Sequence, residues 1–396
     1  FNASATSSEG DESWGGELPN EPATDGDTFS GRQWGLDLIH AKEVHAVTGG
    51  SPAVLVGHID TGVDGAHPEL AANLDAAQST SCVGGAPNQD PAAWADDSGH
   101  GTHTAGIIAA ADNGVGVVGV APNVRLVAIK ASIRQGTRDV FLPEAVVCSF
   151  MWAAAHGVDV ANNSYSVDST LVGGTTDFCR EDENQKTIIA AIRRSVEWAT
   201  FRGVTVIASA GNSNLDVAAN ECLRLPSGLP GVVTVAGVGP SGQKSSFSNF
   251  GLGYVDVAAP AGEVPPFAMP PASFILSSFP AVPSLFTPTT LCDPVTTPCP
   301  VPGTVPGVGY YRFMAGTSQA AAHVSGVAAL IVSRYGHDRW SFTGQMRPKR
   351  VRNILMATAD PQACPADARC QADGAMNGFN GAGIVNALRA VTEPGS

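Results

Sequence analysis

The sequence is poor in charged residues, and above all in basic ones. Only 15% of its 396 residues are charged, and 22 Lys and Arg stand against 36 Asp and Glu, which gives a formal net charge of −14. Phosphate backbones recruit basic patches, so this balance argues against a nucleic-acid partner.

The sequence also lacks an apolar run that could cross a membrane. Its longest uncharged stretch, Val264 to Cys292, contains seven prolines, and proline disrupts a membrane-spanning helix. The 43% of hydrophobic residues, together with 45 Gly and 28 Pro, is typical of a globular chain with many loops. We therefore expect a soluble protein of one large or two ordinary domains, without a membrane span.

No two cysteines have the C-x-x-C spacing of zinc or thioredoxin-like sites. Disulfides explain the even number of eight cysteines better than free thiols do, because several lie at loop-like or Pro-flanked positions. An oxidising compartment, and hence secretion, follows, and any signal peptide or pro-segment is expected to have been removed before Phe1 or to lie outside this sequence. The expected pairs are Cys292–Cys299 and Cys364–Cys370, with Cys179–Cys222 as a third and Cys82–Cys148 by elimination.

Short apolar runs alternate with helix-like stretches from Arg32 onward. Near-continuous apolar runs predict strands buried on both faces at 53–60, 124–130, 158–164, 204–209, 232–238 and 255–259. Helices are predicted at 141–155, 186–201, 317–334 and 348–358. This alternation predicts an α/β fold of three layers, with a mostly parallel central sheet and helices on both faces.

Two segments do not follow this alternation. Residues 1–30 are rich in Ser, Gly, Pro and acidic residues, and predict an N-terminal extension or linker ahead of a single domain over 31–396. Residues 263–308 are Pro-rich, nearly uncharged and far longer than the usual connection of about 4–6 residues. We interpret them as an ordered surface insertion.

Three reactive side chains lie at the ends of predicted elements. Asp60 ends the strand AVLVGHID, His100 precedes a helix of small residues in DDSGHGTHTAG, and Ser318 begins a long apolar helix in GTSQAAAHVSG. A serine becomes a nucleophile when an imidazole accepts its proton, and a carboxylate orients that imidazole. Each motif alone could be an ordinary turn, loop histidine or helix cap. Together, at the carboxyl edge of one sheet, they predict a nucleophilic hydrolase.

These motifs resemble those of the subtilisin-like serine proteases, the subtilase family. The resemblance is carried by Asp60-Thr61-Gly62, by HGTHTAG at 100–106 and by Gly316-Thr317-Ser318, and it extends from about Trp34 to the C-terminus. It implies a subtilisin-like fold and a serine endopeptidase whose triad is Asp60, His100 and Ser318. It also implies that Asn212, in VTVIASAGNS, donates to the oxyanion.

The resemblance implies that a peptide substrate binds by strand addition. The two edges that receive it would be Ser164-Tyr165-Ser166 and Ser209-Ala210-Gly211. Relatives commonly have Ser-Leu-Gly-Gly at the first edge, so the side chains here predict a pocket of altered shape. Arg224 falls near the base of the primary specificity pocket. It predicts either a cationic pocket for acidic or polar residues, or a surface arginine paired with a neighbouring acid.

A structural calcium site is a further implication of the resemblance. The segment AAADNGVGVVGVAP has the length of the family's calcium loop, and oxygen-only ligands suit Ca²⁺. A Gly-rich turn without metal stays open as the alternative. The ligands carried over are Glu69, Ala111, Asn113, Val115 and Val117.

Two positions beside Ser318 differ from the family pattern. Gln319 stands where relatives have Met, and the loss of the thioether predicts tolerance of peroxide. Ala322 stands where relatives have Pro, and we expect it to alter how an acyl-enzyme divides between water and amines.

The sequence therefore predicts a secreted, zymogen-derived serine endopeptidase that forms an acyl-enzyme on Ser318. The alternative is a narrow-specificity processing protease or an acyl-transferring, transpeptidase-like subtilase. The expected partners are protein or peptide substrates and the chain's own cleaved propeptide, and the expected state is a monomer. An inactive pseudoprotease conflicts with the complete triad, and an α/β-hydrolase esterase would need G-x-S-x-G, which residues 316–320 do not match.

Overall fold

The computed structural model describes residues 18–168, 178–179, 183–219, 222–264, 273–280, 310–336 and 344–393. The helices are α1 (Trp34–Leu38), α2 (Ala41–His45), α3 (Pro91–Trp94), α4 (His100–Ala109), α5 (Pro143–Ala155), α6 (Glu183–Phe201), α7 (Thr317–Tyr335), α8 (Pro348–Ala357) and α9 (Ala387–Thr392). The strands are β1 (Leu55–Asp60), β2 (Thr80–Ser81), β3 (Arg125–Lys130), β4 (Ser132–Gln135), β5 (Arg138–Phe141), β6 (Val160–Asn163), β7 (Phe178–Cys179), β8 (Thr205–Ser209), β9 (Cys222–Leu223), β10 (Val232–Val238), β11 (Val257–Pro260), β12 (Ile275–Phe279), β13 (Tyr310–Met314), β14 (Ala372–Asp373) and β15 (Met376–Asn377).

A seven-stranded parallel sheet forms the centre of the molecule, in the order β11-β10-β8-β6-β1-β3-β2. All six strands predicted from the sequence belong to it. From β1 the chain adds β3 on one side and later β6 on the other, so the strand order reverses beside β1. Ligands of open parallel sheets bind at such a reversal, at the carboxyl ends of the strands. Asp60, the last residue of β1, lies there.

Helices cover both faces of the sheet. α7 packs against β6, β8, β10 and β11 on one face, and every residue from Thr317 to Ser333 is buried, as expected of a helix that is apolar on all sides. On the other face α5 and α6 contribute Val146, Phe150 and Ile192 to a second apolar cluster with Ile59 of the sheet. The predicted three-layer α/β fold is confirmed.

The described part of the N-terminal extension lies against this domain. The Ala23 amide donates to the carbonyl of His45 (2.8 Å), and the Phe29 amide donates to that of Gly116 (2.6 Å). Asp25 Oδ1 lies 2.6 Å from the buried His45 ring at Nδ1. Residues 18–29 are therefore bound along the domain, whereas residues 1–17 lie outside the described residues.

Of the 263–308 segment, the structure describes residues 263–264 and 273–280. Within it, β12 pairs antiparallel with β13, the strand that leads to Ser318. The cysteines 292 and 299, predicted to form a disulfide, lie outside the described residues.

Two predicted disulfides are confirmed, Cys82–Cys148 and Cys364–Cys370, each with an S–S distance of 2.11 Å. Cys222 is also disulfide-bonded, and it lies opposite Cys179 in the antiparallel pairing of β7 with β9. Among the helices of the described ranges, none has the length and apolarity needed to span a membrane.

Candidate active site

Asp60 and His100 meet at the carboxyl end of β1. His100 Nδ1 lies 2.6 Å from Asp60 Oδ1, and the same carboxylate accepts the Thr61 amide (2.8 Å) and the Thr104 hydroxyl (3.3 Å). Asp60 is completely buried, whereas the His100 side chain is 22% exposed. The carboxylate is thus fixed from several sides, and within the described residues no hydrogen bond engages His100 Nε2.

A close approach of two backbones positions His100 at the start of α4. A Cβ on Gly101 would collide with the carbonyl oxygen of Gly62, in the turn after β1. Asp96 Oδ1 accepts the Thr61 hydroxyl (2.9 Å), and its Oδ2 accepts the Thr102 amide and hydroxyl (2.9 and 2.6 Å). The glycine of the HGTHTAG motif therefore permits the contact, and Asp96 holds the two turns together.

The charges around His100 decide the pKa of its imidazole. Burial alone lowers this pKa, but the charge and hydrogen bond of Asp60, followed by the charges of Asp139 and Asp96, raise it above the ordinary value. Burial alone would raise the pKa of Asp60, but the charge and the hydrogen bond of His100 outweigh this effect. The pKa of Asp60 therefore lies below its usual range. This pair can accept a proton on the histidine and stabilise the resulting imidazolium.

Ser318 is the second residue of α7 and is tied to the segment after β6. Its Oγ donates to the carbonyl oxygen of Ser164 (2.9 Å), and the Ser164 hydroxyl donates in return to the carbonyl oxygen of Ser318 (3.0 Å). Among the described residues, no hydrogen bond joins Ser318 Oγ to His100. A serine nucleophile needs such a bond, which often forms fully only in the complex with substrate.

Asn212 follows β8 in a turn that is held in a fixed orientation. Its Oδ1 accepts the amide and the hydroxyl of Thr317, both at 2.8 Å. Its Nδ2 lies 3.3 Å from the position that a Cβ on Gly316 would take. Because the oxygen is engaged by Thr317, the nitrogen remains as a donor near Gly316, two residues before Ser318.

Asn249 also stabilises the turn that carries Asn212, through hydrogen bonds to residues on both sides of it. Its Oδ1 accepts the amides of Ser213 and Leu215 at 3.0 Å each, and its Nδ2 donates to the carbonyl of Ala210 (2.9 Å). Sequence reasoning missed both Thr317 and Asn249 as supports of Asn212. The Gly-Thr-Ser motif contains Thr317, but nothing in the sequence shows which residue it contacts.

The two predicted substrate-binding edges contact the start of α7, and Tyr165 of the first edge is buried. Its ring is 5% exposed and stacks on Phe141, with centroids 4.2 Å apart and planes 5° from parallel. Its hydroxyl donates to Asn163 Oδ1 (2.9 Å). In the second edge, 209–211, Ser209 and Ala210 are buried. The Gly211 amide donates to the Thr317 hydroxyl (3.0 Å).

Arg224 is a buried residue of the site rather than a surface arginine. It is 8% exposed, and its Nη1 lies 3.3 Å from the position of a Cβ on Gly211. Its guanidinium therefore approaches the turn that carries Asn212; its predicted place at the base of a specificity pocket stays a prediction.

The residues of the predicted calcium loop also meet in the structure. Glu69 is completely buried, and its Oε1 accepts the Tyr311 hydroxyl (2.5 Å) and the Val117 amide (3.2 Å). Asn113 Nδ2 donates to Glu69 Oε2 (3.2 Å), and Asn113 Oδ1 accepts the Val115 amide (3.0 Å). Burial raises the pKa of Glu69 to about 7.

Asp27, which sequence reasoning missed, adds a second carboxylate to this loop. It is 3% exposed; its Oδ1 accepts the amides of Asn113 and Gly114 (3.2 and 3.1 Å), and its Oδ2 has no hydrogen-bond partner within the described ranges. Burial raises its pKa to about 6. Buried carboxylates, one with an oxygen lacking a partner, and carbonyls in a tight loop fit a hard cation such as Ca²⁺.

Comparisons with known proteins agree with this geometry. The family profile described as the subtilase family matches residues 51–383. Subtilisin DY from Bacillus licheniformis is 31% identical over 327 residues, which cover 82% of this chain and 90% of that protein. Subtilisin NAT from Bacillus subtilis subsp. natto is 29% identical over 326 residues, but these are 65% of its length.

Solved structures share the fold at lower identity. A structure titled as a lanthipeptide protease superposes with a TM-score of 0.68 at 22% identity, covering 95% of this chain and 99% of that one. The epidermin leader peptide processing serine protease from Staphylococcus aureus has a TM-score of 0.69 at 21% identity, with 96% and 85% covered.

Proposed function

The chain belongs to the subtilase family of serine endopeptidases, and on that premise we propose that it is a secreted enzyme that cleaves peptide bonds through an acyl-enzyme on Ser318. The observation that carries the proposal is the 2.6 Å contact of His100 Nδ1 with Asp60 Oδ1, beside a serine at a buried helix start and an amide oriented by Thr317. Disulfides in the described ranges support secretion, because they persist in oxidising compartments.

In the first step, Ser318 Oγ leaves the Ser164 carbonyl and attacks the substrate carbonyl carbon while His100 Nε2 takes its proton. Asp60 keeps His100 in the tautomer with its proton on Nδ1 and stabilises the imidazolium. Asn212 Nδ2 and the backbone N–H of Ser318 donate to the oxyanion. His100 then protonates the leaving amine, and water repeats the sequence to release the acyl group.

The substrate would pair with Ser164–Ser166 and Ser209–Gly211, with Arg224 near the base of the primary pocket. A buried guanidinium there favours an acidic or polar side chain at the residue that supplies the acyl group. The same observation supports the second candidate, a narrow-specificity processing protease, since a charged pocket restricts the bonds that are cleaved.

A structural Ca²⁺ would be held by Glu69, by the side chain of Asn113 and by the carbonyls of Ala111, Val115 and Val117. The ion would supply charge neutralisation for buried carboxylates and would stiffen the loop, at a distance from the chemistry. We also propose that the enzyme acts as a monomer on proteins or peptides after its propeptide is cleaved off, as the resemblance to subtilisins implies.

A serine-directed fluorophosphonate tests the nucleophile. Labelling should occur at Ser318 in the wild type and disappear in Ser318→Ala, together with hydrolysis of a quenched peptide. Ser333→Ala is the matched control, because Ser333 lies in the same buried helix and its hydroxyl donates to Ala329. Labelling that survives in a folded Ser318→Ala protein would contradict the assignment.

A further inference from the structure

A cavity of about 280 Å³ opens beside His100, on the side of the edge 164–166. Phe141 and Tyr165, which stack on each other, form part of its wall. The β4–β5 hairpin adds two charged residues to the lining, Arg138 and Asp139. The cavity is therefore aromatic in part and charged in part, next to the proposed proton acceptor.

The two charged residues differ in how far their hydrogen-bonding capacity is used. Asp139 Oδ1 accepts Arg134 Nη1 (2.8 Å), and its Oδ2 accepts the Ser98 hydroxyl (2.6 Å), so both oxygens are engaged. Arg138 is 64% exposed, and the ion pair that the structure gives it is a long one, 3.5 Å from Nη2 to Asp168 Oδ2. A guanidinium has five N–H donors, so Arg138 keeps donors for a ligand.

The ion pair with Asp168 leaves most of the Arg138 side chain exposed. Asp168 is only 7% exposed, and its amide donates to the carbonyl of Phe141 (2.9 Å). The Asp168 side chain is thus enclosed, while Arg138 is mostly exposed and lines the cavity. An acidic ligand can approach Arg138 from the open side without displacing Asp168.

A peptide lying along Ser164–Ser166 would direct alternate side chains to the same side, as every extended strand does. Every second residue on the acyl side of the scissile bond would therefore face this cavity. The protein as a whole carries a net charge of −14 and repels acidic peptides at long range. Recognition of an acidic residue thus requires a local cation, and Arg138 is placed to supply it.

We propose that Arg138 makes this cavity a binding site for an acidic side chain of the substrate, on the acyl side of the scissile bond. The inference rests on the proposed peptidase function and names its substrate class. These are peptides with Asp or Glu as the second or fourth residue before the scissile bond. The planar guanidinium fork matches a carboxylate in a bidentate manner, which lysine would not reproduce.

Quenched peptides that differ only by Asp or Asn at one position test this site, because the two residues have the same shape and differ in charge. The set varies the second, third and fourth residues before the bond, and two residues after it. We expect kcat/KM to favour Asp over Asn by about threefold to tenfold at the second or fourth position, as for a well-formed but exposed ion pair. Arg138→Gln should bring that ratio to one, and Arg138→Glu should reverse it.

Arg193→Gln is the matched control for loss of one positive charge. Arg193 is also exposed and also holds a carboxylate, Glu197, at 3.5 Å, but it lies on α6, outside the cavity lining. An unchanged Asp preference in Arg138→Gln, an equal loss in Arg193→Gln, or a preference found only at the third residue or after the bond would overturn the inference. Failure of wild type to cleave even the Asn peptides would instead overturn the proposed function, and this inference with it.

Discussion

Replacing Thr317 by Val tests how the proposed oxyanion donor is oriented. The Thr317 hydroxyl donates to Asn212 Oδ1 (2.8 Å) and accepts the Gly211 amide (3.0 Å). The Thr317 backbone amide donates separately to the same Asn212 oxygen (2.8 Å), and this bond remains in the valine variant. Valine has nearly the same shape and removes the hydroxyl bonds alone. One net hydrogen bond is worth about 0.5–1.5 kcal/mol, which corresponds to about a 2- to 13-fold loss of kcat.

The expected loss lies in kcat with KM nearly unchanged, because in the proposed mechanism Asn212 donates to the oxyanion rather than to the bound peptide. Loss of one oxyanion donor in subtilisin itself is known to cost about 10²- to 10³-fold in kcat, a figure not worked out from this chain. Asn212→Ala should approach that scale, and Thr317→Val should add little to it. A peptide anilide assay of both single variants and the double variant measures this coupling.

Thr317→Ser, which keeps the hydroxyl, is the control and should retain near wild-type kcat. Two results would refute the reasoning: a Thr317→Val loss as large in the Asn212→Ala background as in the wild type, or a loss confined to KM. Either would mean that Thr317 acts on the substrate or on the helix start rather than through Asn212.

Three further predictions follow from the same region and from the loop around Glu69. The charge of Asp139 raises the pKa of His100, and the proposed mechanism needs a neutral imidazole. Asp139→Asn should therefore move the acid limb of the kcat/KM profile to lower pH. An acid limb that stays in place or moves to higher pH contradicts this prediction. Gln319 is 1% exposed, and its Nε2 lies 3.4 Å from His103 Nδ1. Gln319→Met should convert a peroxide-tolerant enzyme into one that loses activity on oxidation. Equal tolerance of both proteins would show that position 319 is not the susceptible site. Calcium at 100 times its Kd should stabilise the fold by about 2.7 kcal/mol; EDTA should therefore lower the Tm of wild type but not of Glu69→Ala, and a Tm insensitive to EDTA removes the site.

The central strands and the buried helix could be predicted because their signal is local. Strands buried on both faces are continuous apolar runs, and the observed strands 55–60 and 232–238 lie within or match the predicted ranges. The three motif residues were found for the same reason, since each ends or begins an element. The long-range contacts that support the site could not be predicted: Thr317 and Asn212 are 105 residues apart, and Tyr311 and Glu69 are 242 apart.

The surroundings of Tyr165 could not be predicted from its neighbours in the sequence. Its ring is buried and stacks on Phe141 of β5. The Cys82–Cys148 bond, 66 residues apart, was likewise reached by elimination alone. Both depend on which elements the sheet brings together.

The reciprocal hydrogen bonds between Ser164 and Ser318 join the proposed nucleophile to the first substrate-binding edge, 164–166. The Ser318 hydroxyl donates to a backbone carbonyl of the edge proposed to bind the peptide. A peptide that pairs along that edge would therefore contact the same segment of chain that holds the proposed nucleophile. The position of the proposed nucleophile and the segment proposed to bind the peptide are therefore coupled directly.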